Sequence, residues 1–325
     1  MFDVVGVGNP CVDENVSVNE LPKPNHGSRM NQRTWQGGGL VPSGLVASSR
    51  LGAKCAIIGA VGDDLFGRFS LRDFKLHGID TSNVYVREGQ CTPMNLVLSD
   101  KETMGRSIMG DPGGMGRLTP VSMEEVNLDL IKESKYFFIS SMVVRDPMMI
   151  ELVKIAREAG TKVFIDASNM SEEMYNFIPN IDIFVASEFF YDDLFDNDNY
   201  EENCKKIMDM GPEIVVFTFG EKGCVGISKD GFFQLPAFKV DVVDTVGAGD
   251  VYHGAFVAGL AAGRTVKDTA RFASAVSAIK CTRIGGRAGI PDLKTVEQFL
   301  QDGTIDYTEI DQRVEGYRYS LEQFR

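Results

Sequence analysis

Three histidines (His26, His77 and His253) and six cysteines are all the imidazole and thiolate ligands that the 325 residues offer a transition metal. No two cysteines form a Cys-x-x-Cys pair, and none is spaced with a histidine as in a zinc module. A structural metal unit is thereby excluded, and buried, reduced thiols are expected at Cys11, Cys55, Cys91, Cys204, Cys224 and Cys281. Positive charge is also in short supply: 33 Lys and Arg stand against 46 Asp and Glu, a formal net charge of −13. A surface of that sign repels a phosphate backbone, so nucleic acid is not an expected partner, although a local cationic pocket remains compatible with it. No apolar run approaches the ~20 residues that span a bilayer. The start, Met1-Phe2-Asp3-Val4-Val5, lacks the basic residues and long apolar stretch of a secretory signal. The expectation is a cytoplasmic protein with no membrane partner. Internal repeats, low-complexity tracts and a Walker A run are absent as well.

What is present is an ordinary globular composition, 43% apolar and 24% charged, with length enough for one large α/β domain or two modest ones. Phe2–Gly8 is a short apolar run ending in glycine, a buried strand. In residues 12–35, Val12, Val16 and Val18 alternate with polar residues, a Pro/Asn/Gly turn region follows, and Met30–Trp35 resumes, the pattern of a hairpin with one wet face. Gly37-Gly38-Gly39 opens a small-residue helical segment reaching Leu51-Gly52. Strands are expected at Lys54–Val61, Tyr136–Ser140, Lys162–Asp166, Ile181–Ala186 and Ile214–Phe219. Helices are expected at Phe66–His77, Met148–Ala159 and Tyr200–Met210, stopped by Gly78, Gly160 and Gly211. Cys224–Ser228 and Phe232–Leu235 read as a hairpin, and two further helices begin at Gly249 and Thr265. This alternation predicts a parallel sheet covered on both faces. The extended segments near 12–35 and 91–106 do not fit it and read as a small β appendage. The tail from about residue 303 is polar and aromatic, with no role assigned.

Val240–Val243 is mostly β-branched and reads as a strand. It runs into Asp244-Thr245-Val246-Gly247-Ala248-Gly249-Asp250, and a Gly/Ala-rich helix follows. A glycine-rich turn at a helix N-terminus is an anion site, because the first-turn amides have no intrahelical partner and the dipole favours negative charge. Asp250 then stands beside the anion. A carboxylate there opposes the binding of a polyanion but suits a base that takes a proton from an attacking hydroxyl. Asp is also a favoured helix cap. A lone Gly-x-Gly-Asp leaves both readings open, and the flanking Asp244 and Thr245 weigh for the base. A dinucleotide fingerprint does not fit, since Tyr252 stands where its third glycine belongs.

With these residues the chain resembles the ribokinase-like (PfkB) carbohydrate kinases over about residues 3–300. The resemblance is carried by Asp244–Asp250 and by Gly38-Gly39-Leu40-Val41-Pro42-Ser43 with Arg50-Leu51-Gly52-Ala53. Further matches are Gly62-Asp63-Asp64-Leu65-Phe66-Gly67, Leu76-His77-Gly78-Ile79, Thr218-Phe219-Gly220-Glu221-Lys222-Gly223 and Arg283-Ile284-Gly285-Gly286. It implies a ribokinase-like three-layer α/β/α domain with a mostly parallel central sheet and a small β-sheet lid. The core would take residues 1–11, 36–90 and 107–325, and the lid 12–35 and 91–106. It implies phosphorylation of a sugar or polyol hydroxyl by ATP with Mg²⁺, with Asp250 as the base and the amides of Gly247, Ala248 and Gly249 as an anion hole. The substrate would lie against Asp13, Gly38, Gly39 and Ser43, and the nucleotide against Ser187, Thr218, Gly220, Gly223 and Gly249. A potassium ion would sit by Asp244 and the carbonyls of Val246, Lys280, Arg283, Gly285 and Gly289. The chain departs from the pattern at Ser43, where many members have Asn, and at Ser187-Glu188-Phe189-Phe190, where many have Asn-x-x-Glu. Tyr252 replaces a usual Phe and reads as core packing.

For the substrate, Arg33, Arg106 and Arg145 lie near the lid and strand ends, where one of them could clamp an anionic group. Asp111-Pro112 hints at a ketohexose-type sugar. A nucleoside substrate is the alternative, with Trp35 as the candidate base-stacking residue, and a non-catalytic sugar- or nucleotide-binding regulator is a third reading. An exposed lid sheet would leave an apolar face, so a homodimer through the lid is expected.

Overall fold

The computed structural model describes residues 1–103, 105–111, 113 and 118–318. The chain opens with β1 (Val4–Val7), then β2 (Cys11–Val18) and β3 (Met30–Gly38), and turns into helix α1 (Leu40–Arg50). Strand β4 (Cys55–Gly62), helix α2 (Leu65–Leu76) and strand β5 (Asp80–Arg87) come next, then β6 (Met94–Asp100) and β7 (Arg106–Asp111). The second half alternates: α3 (Leu128–Lys132), β8 (Tyr136–Ser140), α4 (Pro147–Glu158), β9 (Lys162–Ala167), α5 (Glu172–Phe177), β10 (Ile183–Ser187), α6 (Glu188–Leu194), α7 (Tyr200–Met208) and β11 (Ile214–Thr218). The hairpin of β12 (Cys224–Ser228) and β13 (Gly231–Leu235) precedes helices α8 (Ala248–Ala261), α9 (Val266–Lys280), α10 (Leu293–Asp302) and α11 (Thr308–Arg318).

Nine strands form one sheet in the order β13-β12-β11-β10-β9-β8-β1-β4-β5. It is parallel except at β12 and β13. The central strands are buried on both sides, so their successive apolar residues feed opposite layers. Val5, Val7, Phe137, Ile139, Val163 and Ile165 face the layer that includes Leu152, Val153 and Ile207. Val4, Phe138, Phe164, Val185 and Val216 face the layer built from α1, α8 and α9. This is the expected α/β/α arrangement. Four strands form a second sheet, β3-β2-β6-β7, which is the lid. It extends past residue 106 to Asp111, and its central pair β2–β6 is parallel, with Val12 opposite Met94. Strand β2 is buried at seven of eight positions, since it is interior to the sheet and the α2 side chain Phe69 covers Val12. Pro112 lies outside the described residues.

Several expectations need correction. Strand β5 and the short helices α3, α5 and α6 carry patterns too weak or too short to register. Residues 240–243 do not form a strand. Val242 and Val243 are exposed, and the segment is fixed by the amides of Val243 and Asp244, which donate to the Cys281 carbonyl at 2.8 and 3.1 Å. Cys91 is exposed, while the other five cysteines are buried. The tail is not idle: α11 returns against β3 and buries Ile310 and Tyr317. Among the described residues no helix is long and apolar enough to cross a membrane.

Helices α1 and α8, the latter carrying Asp250, cross with their backbones in close approach. A Cβ on Gly254 would run into the Gly44 backbone, and one on Gly44 would meet the Phe138 ring at 2.5 Å. Ser48 locks the crossing by donating to the carbonyls of Gly44 (3.0 Å) and Gly254 (2.8 Å). In an exposed helix Gly→Ala gains roughly 0.5–1 kcal/mol. Here the added methyl meets backbone, which cannot swing aside, and overpacking of this kind costs about 1–3 kcal/mol. Gly254→Ala is therefore expected to lower stability by roughly 1–2 kcal/mol, the difference of those two terms. Urea unfolding checks this, and an unchanged or raised midpoint would contradict the packing account.

Candidate active site

The turn before α8 is shaped by Gly247, the helix N-cap residue, in the left-handed region with φ 71°. A Cβ there would approach the Gly286 backbone at 3.0 Å, so the turn is stacked on the 285–286 loop. No side chain caps α8, and Asp250 sits in its first turn without capping it. The cap reading of Asp250 therefore fails. The Ala248 amide already donates to the Thr245 carbonyl at 3.1 Å, closing the turn. Gly249 borders open space, with no heavy atom near a would-be Cβ. An anion approaching this face meets backbone only.

Asp250 is half-buried at the edge of the cleft. Burial, and then the nearby carboxylates of Asp166 and Asp13, hold its acid well above the usual carboxylate range, while Arg106 and Lys280 pull the other way. Asp13 is buried at the start of β2, and burial raises its acid too, opposed by a hydrogen bond from Asn95 and by the Arg287 charge. Asn95 Nδ2 donates to Asp13 Oδ1 at 2.8 Å. Gly38 lies directly over the Asp13 carboxylate, leaving no room for a side chain. Gly39, with φ 95°, starts α1, and its carbonyl accepts from the Ser43 amide at 2.9 Å.

The floor beneath these glycines is Arg287, which has no solvent exposure. Its guanidinium donates to Asp73 Oδ2 at 2.5 Å, to the Gly38 carbonyl at 2.9 Å and to Ser43 Oγ at 3.3 Å. Ser43, expected against the substrate, thus has its hydroxyl turned to Arg287. Asp73 also accepts from Tyr317 Oη of α11 at 2.5 Å, and His77 Nε2 lies 2.8 Å from the same hydroxyl. Burial pulls His77 down to about 4, so it is neutral.

On the other side of Asp250 the sheet ends in β9, β10 and β11, the edge at which open α/β sheets bind ligands. Ser187 caps α6 and donates to the Ser168 carbonyl at 3.1 Å. Thr218 Oγ1 donates to the Ala186 carbonyl at 3.3 Å. Gly220 (φ 53°) and Gly223 (φ 97°) turn the chain, and a would-be Cβ on Gly220 comes within 4.0 Å of the Glu188 carboxylate. Glu188 is therefore at this turn, next to Ser187, although the Asn-x-x-Glu pattern is missing.

Asp244 is buried and joins three segments. It accepts from Ser99 Oγ of the lid (3.0 Å), from the Val246 amide (3.0 Å) and from the Gly285 amide (2.8 Å). Lys280, fully buried, donates to the Asp244 carbonyl at 3.0 Å and to the Val246 carbonyl. The Lys280 carbonyl accepts from the Arg283 amide at 3.2 Å and lies against Gly289. The Arg283 side chain points away, to Asp311 at 2.7 Å. Among the described residues no group of three or more His, Cys, Asp or Glu gathers as a metal site.

Of the three arginines considered for an anionic group, Arg33 of the lid pairs with Glu14 at 2.6 Å and Arg145, after β8 of the main sheet, with Glu173 at 2.8 Å. Arg106 is exposed, sits opposite Ser99 in the lid sheet and acts electrostatically on Asp250. Trp35 stacks on Phe66, with the Arg33 guanidinium 5.5 Å from its centroid. Tyr252 is buried and stacks on Phe256, as packing requires. Sequence reasoning missed Asp166, Asn95 and Arg287. Only Asp166 left a signal, as a carboxylate near the end of an apolar strand. It is 1% exposed, and its Oδ2 lies 3.5 Å from His253 Nδ1.

Comparison with known proteins agrees with this geometry. The family model "pfkB family carbohydrate kinase" matches residues 9–293. A 5-dehydro-2-deoxygluconokinase of Clostridium perfringens is 28% identical, the match covering 95% of this chain and 96% of that protein. A ribokinase of Lactococcus lactis is 26% identical over 94% and 99%. An E. coli chain solved in complex with ATP and Mg²⁺ shares the fold, with TM-score 0.79 and 22% identity over 93% and 99% of the two chains. A match spanning most of the chain, on a fold whose sheet ends converge on Asp250, places the protein in the pfkB family of carbohydrate kinases, which transfer a phosphoryl group from ATP to a sugar hydroxyl.

Proposed function

We propose that the acceptor is a small sugar or polyol carrying an anionic group, a sugar acid of ketohexose type fitting best, and that Asp250 is the general base. The observation that carries this reading is the pairing of two carboxylates, Asp13 and Asp250, in one cleft, with Arg106 of the lid beside them and without a carboxylate partner among the described residues. Asp13, held by Asn95, accepts hydrogen bonds from two substrate hydroxyls. Asp250 takes the proton of the hydroxyl to be phosphorylated, and its raised acid makes it a stronger base than an exposed carboxylate. The amides of Gly247, Gly249 and Asp250 face the charge that develops on the transferred group, with Ala248 kept for the turn. Ser187, Glu188, Thr218, Gly220 and Gly223 would hold the nucleotide. Mg²⁺, when bound with ATP, neutralises the β- and γ-oxygens. Closure of the lid over the sugar removes water, which would otherwise compete as acceptor.

The preference for an acid rests on Arg106 and on the likeness to 5-dehydro-2-deoxygluconokinases. Trp35, already stacked on Phe66, gives no support to a nucleoside. Pairing of two lids in a homodimer would cover Met30, Ile108 and Met109, which are more than half exposed.

A coupled ADP-release screen over ketoses, aldoses, sugar acids and nucleosides tests the acceptor; silence on every one with Mg·ATP would end the proposal. Asp250→Asn should lower turnover by roughly 10²–10⁴ with Mg·ATP binding kept, as calorimetry reads. The same variant bears on stability. An acid raised by folding stabilises the fold only while protonated, so its contribution is present at low pH and lost as pH rises through the raised value. Asp250→Asn should therefore melt higher than the wild type at pH 8, by about 2–4 °C, with the gap narrowing as pH falls. Arg106→Gln should raise KM for a sugar acid about tenfold or more, in line with a lost hydrogen bond to a charged group, and leave KM for a neutral sugar within twofold. Equal effects on both would show that Arg106 does not read the acid.

A further inference from the structure

A potassium ion beside the anion-hole turn needs a ring of free carbonyl and carboxylate oxygens. The residues present do not fit one. Two of the oxygens, the carbonyls of Asp244 and Val246, already accept from the Lys280 ammonium, whose side chain is wholly enclosed. The Lys280 carbonyl accepts from the Arg283 amide. Both oxygens of Asp244 are taken as well, by Ser99, Val246 and Gly285. A second cation forced in beside Lys280 would be repelled by about 4 kcal/mol at 4 Å for an effective dielectric of 20.

We propose that the Lys280 ammonium is a tethered monovalent cation, which does for this enzyme what a bound potassium ion would do and makes its turnover independent of potassium. The chemistry is direct. The Val246 carbonyl and the Gly247 amide belong to one peptide unit. A positive charge on that oxygen polarises the unit and makes the Gly247 N–H a stronger donor toward an anion in the turn. The second bond, to the Asp244 carbonyl, fixes the residue whose carboxylate holds the turn to Gly285 and the lid. Lys280 stands at the end of α9, where a cation is also favoured by the helix dipole. It touches no reacting atom and is a positioning residue. The inference rests on phosphoryl transfer and not on which sugar is used.

The wild type needs no variant for the first test. ADP release with an accepted sugar, and the dissociation constant for Mg·ATP by calorimetry, are measured in potassium, sodium and tetramethylammonium chloride at one ionic strength. Both should change less than twofold. Activation several-fold by potassium would overturn the proposal. The calorimetric arm stands even if no sugar is accepted, so failure of the substrate assignment and failure of this inference remain distinct. Lys280→Ala then opens the space of the side chain. Turnover and Mg·ATP affinity should fall by roughly tenfold or more, below the 10²–10³ that removal of a direct oxyanion donor costs. Potassium or methylammonium, but not tetramethylammonium, should restore most of the loss. A merely structural lysine would give a loss that no small cation repairs, and that result, or wild-type behaviour of Lys280→Met in tetramethylammonium chloride, would refute it.

Discussion

A guanidinium with no exposure to water must be fully paired or the fold does not form, and Arg287 sets that condition for this protein. Its three partners come from different parts of the chain: Asp73 of α2, the Gly38 carbonyl at the end of β3, and Ser43 of α1. Gln36 adds a clasp, accepting from the Arg287 and Ala288 amides at 2.8 and 2.9 Å and donating to the Ile284 carbonyl at 2.9 Å. The charge thereby fixes where the lid strand enters the core, and so where Gly38 and the Asp13 carboxylate beneath it lie. It also explains the glycine run. A Cβ on Gly37 would strike the guanidinium, and one on Gly38 would strike Asp13. These glycines are there because a charge passes on each side of the backbone.

The site as a whole is a balance of charges of both signs, most of them buried. Asp13, Asp166 and Asp250 crowd one region, and burial followed by the charges of its two neighbours raises the Asp250 acid. Lys280 and Arg287 approach from behind and Arg106 from the lid. None of the three cations forms a direct ion pair with Asp250 among the described residues. A bidentate partner would lower the acid and weaken the base. Lys280 and Arg287 bond the Val246 and Gly38 carbonyls and leave Asp250 unpaired, as the proposed base requires.

Much of this was legible in the amino-acid order. Alternating short apolar runs and glycine-stopped helices are a local record of a parallel sheet, and Tyr136–Ser140 is recovered to the residue. The anion turn was legible because glycine at Gly247 is demanded by a positive φ, which is local chemistry. What was hidden depends on distant partners. Val240–Val243 looks like a strand by composition, but the amides of Val243 and Asp244 are claimed by Cys281. Arg287 reads as one more arginine until three other chain segments close around it. Lys280 appears in the sequence reading only through its carbonyl. That its ammonium reaches the Asp244 and Val246 carbonyls follows from the direction of α9, which no spacing rule reveals. Strand β5 fails to register because an edge strand half open to solvent has no strong pattern.

The lid has a consequence of another kind. Its β2–β3 hairpin is local, and so is β6–β7, but the two are joined by parallel pairing of β2 with β6, with Val12 opposite Met94. Between them the chain runs through α1, β4, α2 and β5, all of which belong to the main body. The lid therefore cannot assemble from its own sequence as an independent unit. It closes a loop of some eighty residues, whose ends meet only after the intervening elements have packed, because loop entropy opposes the pairing until then. The topology therefore favours packing of the main sheet before closure of the lid. Asp13, carried on the lid, then joins a body that already carries Asp250.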